Sequence, residues 1–367
     1  MVYAVQFFYT AQHLIFSAKY GKMNYYLPTG GIAMLNADAR EFVFTSGFDS
    51  LNVSALLAKP SGNINGIVQI VHGMFEHKER YFDFMDYLAG EGFLTVIHDN
   101  RGHGKSICTP DDLGFMFRDG GRGFVEDISQ LRKSIHEAYP DVPYFMIGQG
   151  IGSLGVRCML KDSDEGINGA ILLGTPCAGF FPAFYRAIRS VSASGVQSRT
   201  RSDKILDAME RTFDVGGQPR SWFTSKREVV KEMNEDPLCS FNYTINGYEG
   251  LMYLLHEANS KTGWNVTNPA LPIRFISGRD DPCMLSESKF MKNLKLLDDV
   301  GYESVSHRLF DNMRHLVLFE KNEQNVYKDI AKSLYSWIDR MNETVPEPVQ
   351  PAPDTEAESI TDTAEKG

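Results

Sequence analysis

Three short stretches carry groups whose chemistry would combine. Gly148-Gln-Gly-Ile-Gly152 follows an apolar run and opens a helix-like stretch, Asp281 lies in Gly278-Arg-Asp-Asp-Pro282, and His315 ends Asn312-Met-Arg-His315. A strand–turn–helix corner of the form Gly-x-Ser-x-Gly exposes a serine hydroxyl, a nearby imidazole takes its proton, and a carboxylate fixes the tautomer of that imidazole. The order corner, Asp, His along the chain is the one such a corner requires. Here the flanking glycines are kept, but Gly150 stands where the serine would be. A glycine has no atom with which to attack a carbonyl, so no acyl-enzyme can form by the usual route. Backbone groups survive that loss. An inward amide of the Gly73-Met74 turn, after the run Gly66–His72, would make an oxyanion hole with the amide of Ile151.

Other readings of these residues stand beside this one. Asp280 is the alternative to Asp281 as the carboxylate. Ser153, nearly a helical turn beyond Gly150, should lie some 4–5 Å deeper along the helix and away from the apex. Cys177, after Gly174-Thr-Pro176, reads as a small apolar packing residue rather than a substitute nucleophile. A water activated directly by His315 needs no protein nucleophile, and catalysis without the serine can still reach about 10³–10⁴ over water. From another class, Gly150-Ile-Gly-Ser-Leu-Gly155 matches the dinucleotide pattern Gly-x-Gly-x-x-Gly. That motif belongs on the first strand of its unit, with an acidic residue ending the next one. The next strand, Ala170–Gly174, leads instead to Thr175-Pro176.

The elements that must position these groups alternate. Glu41–Thr45 and Asn52–Lys59 read as a leading pair of strands around a turn containing Gly47. Apolar runs of strand length follow at Gly66–His72, Leu94–His98, Pro143–Gly148, Ala170–Gly174 and Ile273–Gly278, then at His307–Phe310. Helical periodicity appears between them, as in Tyr81–Gly90 and Gly123–Ala138. Continuous apolar strands separated by helices predict an α/β fold with a mainly parallel sheet covered on both faces. Residues 177–260 break the rhythm, being polar, helix-leaning and rich in Arg and Lys. They read as an inserted cap, leaving 37–176 and 261–341 as the core.

The chain has 367 residues, 43% of them hydrophobic, enough to bury a sizeable core. Of its net charge of −10, six charges come from Glu343–Gly367, with seven acidic residues and one lysine, so the body is only mildly acidic. No basic patch suits nucleic acid. The Pro-rich, acidic tail, 342–367, is expected to be disordered. Five scattered cysteines without a Cys-x-x-Cys pair argue against a disulfide framework or zinc site and fit a reducing cytoplasm. Residues 1–36 are read as an extension, too polar for a spanning helix and without the features of a signal peptide. The cluster Ala178-Gly-Phe-Phe-Pro-Ala-Phe-Tyr185 opens the cap and is read first as cap–core packing. It could also line an acyl-chain pocket or touch a membrane surface transiently.

Taken together, Val71-His-Gly-Met-Phe-Glu-His77, His98-Asp-Asn-Arg-Gly-His-Gly-Lys-Ser106, the corner at 148–152, Gly278–Pro282 and Met313-Arg-His315 resemble the α/β-hydrolase superfamily. The resemblance is to its branch of monoacylglycerol lipases and lysophospholipases, of the serine aminopeptidase S33 type, and runs from about Arg40 to Met341. Glu235-Asp-Pro-Leu-Cys239 also resembles cap sequences of bacterial members. The resemblance implies a triad of residue 150, Asp281 and His315, an oxyanion hole at Met74 and Ile151, a structural His103, and no cofactor or metal. It also implies a lipid-like ester bound under the cap. Members usually carry Gly-His-Ser-Met-Gly where this chain has Gly-Gln-Gly-Ile-Gly. With three neighbouring positions changed, natural divergence is the better account than engineered inactivation. The expected activity is ester hydrolysis that is weak or altered, and the alternative is a ligand-binding or scaffold protein without turnover.

Overall fold

The computed structural model describes residues 37–178, 186, 188, 198–201 and 203–343, together with the backbone of Tyr25–Tyr26 and Ile32–Ala33, which pair antiparallel. The aromatic cluster after Ala178, most of the extension 1–36, and the tail beyond Glu343 lie outside the described residues.

Eight strands form one sheet: β1 (Asp38–Thr45), β2 (Asn52–Lys59), β3 (Gly66–Val71), β4 (Phe93–His98), β5 (Tyr144–Gln149), β6 (Gly169–Leu173), β7 (Ile273–Gly278) and β8 (Val305–Phe310). Their order across the sheet is β8-β7-β6-β5-β3-β4-β2-β1. From β8 through β4 the pairings are parallel, and the β4–β2 and β2–β1 pairings are antiparallel. This is the mainly parallel sheet the apolar runs predict. Strands buried on both faces need apolar side chains at successive positions, and β3, β4, β5 and β6 are buried throughout.

One face is covered by α1 (Phe82–Gly90) and α8 (Glu323–Glu343), whose Leu88, Ile330 and Trp337 pack with Val68, Ile70 and Ile147. The other is covered by α2 (Gly120–Ala138), α3 (Ile151–Asp162) and α7 (Glu287–Val300), through Phe124, Leu154 and Phe290 against Ile67 and Met146. Successive strand residues alternate between these two clusters, as the two-residue period of a strand requires. Between β6 and β7 come α4 (Asp203–Thr212), α5 (Arg227–Glu235) and α6 (Ile245–Asn259). The expected boundaries shift by one to three residues: α2 starts at Gly120 rather than Gly123, and α8 runs to Glu343, two residues into the segment read as tail.

The chain leaves β3 toward β4 on one side of the sheet and reaches β5 on the other, so β3 and β5 flank the point where strand order reverses. Ligands of open α/β sheets bind in the crevice beyond the carboxyl ends of strands at that point. The close approach of α3 to β3 is made by Gly152, where a Cβ would collide with the carbonyls of Val71 and His72. Gly152→Ala is therefore expected to destabilise the fold at or above the upper end of the ~1–3 kcal/mol typical of overpacking. Urea unfolding of the variant checks this, and an unchanged midpoint would contradict it.

Candidate active site

The corner is built by β5 ending at Gln149 and α3 beginning at Ile151, with Gly150 between them at φ +53°, ψ −115°. This lies outside the regions open to side-chain-bearing residues, and glycine adopts it without penalty. The neighbouring backbone is as tight: a Cβ on Gly148 would stand 2.5 Å from the carbonyl oxygen of Gly152. The sharp strand-to-helix turn thus persists without the residue it would ordinarily display.

Asp281 follows β7 and His315 follows β8, at the same carboxyl edge of the sheet as Gly150. Nδ1 of His315 is 3.1 and 3.2 Å from the two carboxylate oxygens of Asp281. Both residues are buried, and the carboxylate is held in turn by the Cys283 amide at 2.9 Å and the Ser277 hydroxyl at 3.0 Å. Asp280 is exposed and forms no bond with His315 among the described residues. On its other side, Nε2 of His315 is 2.9 Å from where a Cβ on residue 150 would stand. The imidazole therefore fills part of the room a serine side chain would need. Gln149 fixes it from behind, its Nε2 donating to the His315 carbonyl at 3.1 Å, and Trp222 lies 5.3 Å from the imidazole, centroid to centroid. Sequence reasoning did not single out Gln149 or Trp222 as partners of His315. No local pattern marks either, because both contacts span more than ninety residues.

The backbone opposite is equally arranged. The ring of His72 accepts the Asn100 amide on Nε2 at 2.9 Å, so its Nδ1–H donates to the Gly73 carbonyl at 2.8 Å. A trans peptide opposes its C=O and N–H, so holding that carbonyl aims the Met74 amide away from His72. Glu76, fully buried, accepts the Gly73 amide at 2.8 Å and the Tyr81 hydroxyl at 3.0 Å, which pins the turn. Among the described residues, the amides of Met74 and Ile151 have no hydrogen-bond acceptor. That of Ile151 also lies at the positive end of the α3 dipole.

The other candidates are accounted for by packing. Ser153 is buried and donates its hydroxyl to the Gly150 carbonyl at 2.5 Å, with Thr175 Oγ1 at 2.8 Å, so its hydroxyl is engaged elsewhere. Burial raises the Cys177 thiol to about 12. His103 is buried against Tyr243, whose hydroxyl is 2.5 Å from Nε2. In the dinucleotide-like run, Gly152 and Gly155 serve close approaches, to β3 and to Phe124.

Burial also depresses the pKa of three histidines around this loop: His103 to about 4, His98 to about 3, and His72 well below its ordinary value. Groups held neutral in the fold refuse protons that the unfolded chain accepts, so stability must fall as pH drops from about 6.5 toward 4. The slope is up to ~1.4 kcal/mol per pH unit for each histidine. Denaturant midpoints measured from pH 7 to pH 4.5 test this, and a flat profile would count against it.

A cavity of about 70 Å³ opens onto this edge, lined by Met74, Ile151, Cys177, Trp222, Leu251, Leu255 and His315 among others. Its walls are almost wholly apolar. Tyr248, Leu251, Met252 and Leu255 repeat at the helical period on α6. A roomier cleft of about 590 Å³ between α2, α3 and α6 is lined by Arg122, Arg132, Asp162 and Glu257. It is polar and holds none of the groups described above.

The sequence pattern described as "Serine aminopeptidase, S33" matches residues 62–322. The chain belongs to this family. It is similar to a protein named monoglyceride lipase homolog of Monkeypox virus, at 34% identity over 76% of this chain and 91% of that one. Human monoglyceride lipase is 32% identical over 78% of this chain and 86% of its own. Among solved structures, a thermostable carboxyl esterase from Bacillus coagulans in complex with glycerol superposes with a TM-score of 0.71 at 25% identity, covering 82% and 98% of the two chains. The family member described here is thus a monoglyceride lipase-like α/β-hydrolase. No helix among its described residues is long and apolar enough to cross a membrane.

Proposed function

We propose that this protein binds a lipid-like carboxylic ester, of the monoacylglycerol type its relatives are named for, beneath a cap formed by residues 177–260. It hydrolyses the ester slowly, by water that His315 activates. The observation that carries this reading is the His315–Asp281 pair facing a side-chain-free Gly150, with the amides of Met74 and Ile151 unengaged. An ester carbonyl beside those amides would develop its negative charge against two donors and a helix N-terminus. Water would deliver its oxygen to the carbonyl carbon and its proton to Nε2, while Asp281 stabilises the resulting imidazolium. The proton then passes to the departing alcohol. The apolar lining suits an acyl chain rather than a peptide or a charged ligand.

A second reading, binding without turnover, draws on the same Gly150 and on Ser153 having turned its hydroxyl inward. A short-chain p-nitrophenyl ester assay combined with a fluorophosphonate probe separates the two. The expected result is slow hydrolysis without labelling, lost in His315→Ala. No hydrolysis by a folded chain would leave the binding reading. Labelling of the native chain would refute both.

A further inference from the structure

Away from the Gly150 corner, one buried cluster has the composition and spacing of a metal centre. His77, which precedes the short helical turn Lys78–Tyr81, meets Asp236 and Cys239 from the segment between β6 and β7. Nε2 of His77 is 2.9 Å from Asp236 Oδ2, and Cys239 Sγ is 3.5 Å from the same oxygen. All three side chains are buried, and their donor atoms lie within 4.8 Å of one another. Zinc bonds of about 2.0 Å to N and O and about 2.3 Å to S place tetrahedral neighbours roughly 3.3–3.5 Å apart. The two separations to Asp236 Oδ2, 2.9 and 3.5 Å, are close to these values.

The surroundings supply what such a centre needs. Nδ1 of His77 lies 2.8 Å from Glu79 Oε2. A carboxylate on one ring nitrogen fixes the tautomer that presents the other nitrogen's lone pair to a cation. Lys78 is taken up by Asp99, Glu41 and Glu79, and Arg80 by Glu76. We propose that His77, Asp236 and Cys239 form a binding site for a divalent metal of the zinc class, with water as fourth ligand, joining the inserted segment to the core.

A cation takes Cys239 as its thiolate and His77 through an unprotonated ring nitrogen, so protons are released as the complex forms.

The site is independent of whether the hydrolytic reading holds, and its test needs no activity. The chelator-stripped full chain is titrated with cobalt(II), whose thiolate charge-transfer absorption reports a cysteine ligand. Asp281, Cys283 and His315 are a second group of possible ligands, so Cys283→Ser is the control. One equivalent bound, with the band lost in Cys239→Ser and kept in Cys283→Ser, is the expected result. Zinc should displace the cobalt, and should raise Tm for the native chain but not for Cys239→Ser. No band at millimolar cobalt, a band that persists in Cys239→Ser, or one lost only in Cys283→Ser would overturn the proposal.

Discussion

Gly150→Ser is expected to convert this chain into one that a fluorophosphonate labels, and to lower its stability at the same time. The corner holds residue 150 at φ +53°, ψ −115°, which costs a serine about 1–3 kcal/mol. Its Cβ would stand 2.9 Å from His315 Nε2, so the imidazole must also retreat against Asp281 and Trp222. Ester hydrolysis should nonetheless rise on the order of 10²–10⁴-fold. That is short of the ~10⁶ span of an intact triad, because Gln149 and Ile151 still flank the corner where the family resemblance leads one to expect His and Met. Labelling, kcat/KM and Tm measured on one preparation check all three. A variant that folds, stays unlabelled and gains no activity would show that the remaining groups are not a catalytic set.

Lys78→Met is expected to destabilise the core strongly. Its fully buried ammonium lies 2.8 Å from Asp99, 2.8 Å from Glu79 and 2.9 Å from Glu41. Burial opposes that charge, yet the carboxylates outweigh the penalty and raise its pKa well above the ordinary lysine value. Removing the ammonium leaves Asp99 buried without its counter-charge, while Glu41 keeps Lys105 and Glu79 keeps His77, and breaking a buried pair in this way typically costs about 3–5 kcal/mol. Urea unfolding gives the number, and a loss below ~1 kcal/mol would mean that water reaches the cluster.

Lys78 also marks where sequence reading stops. Strand positions were legible because β3 to β6 are buried on both faces and must be apolar throughout, and their ends were found to within about one residue. Gly150, Asp281 and His315 were legible because corner, carboxylate and imidazole follow strands in a fixed order. What stayed hidden depends on distant pairing. Lys78 and Glu79 drew no reading from the sequence, and only Asp99 and Asp236 reveal the His77–Glu79 turn as buried and charged. Gln149 shows its role only when His315, 166 residues away, lies against it. Helices α7 and α8 were not set apart individually, their apolar positions being spread among many charged ones.

The strand order has a consequence for how the molecule comes into being. Met74, Gly150, Asp281 and His315 follow β3, β5, β7 and β8, which meet only through parallel, long-range pairings. Such pairings require costly loop closures and form late and slowly. A chain emerging from the ribosome thus has its corner and amides well before it has the imidazole. The pocket is assembled by the final strands, and ligand binding would report the completion of folding itself.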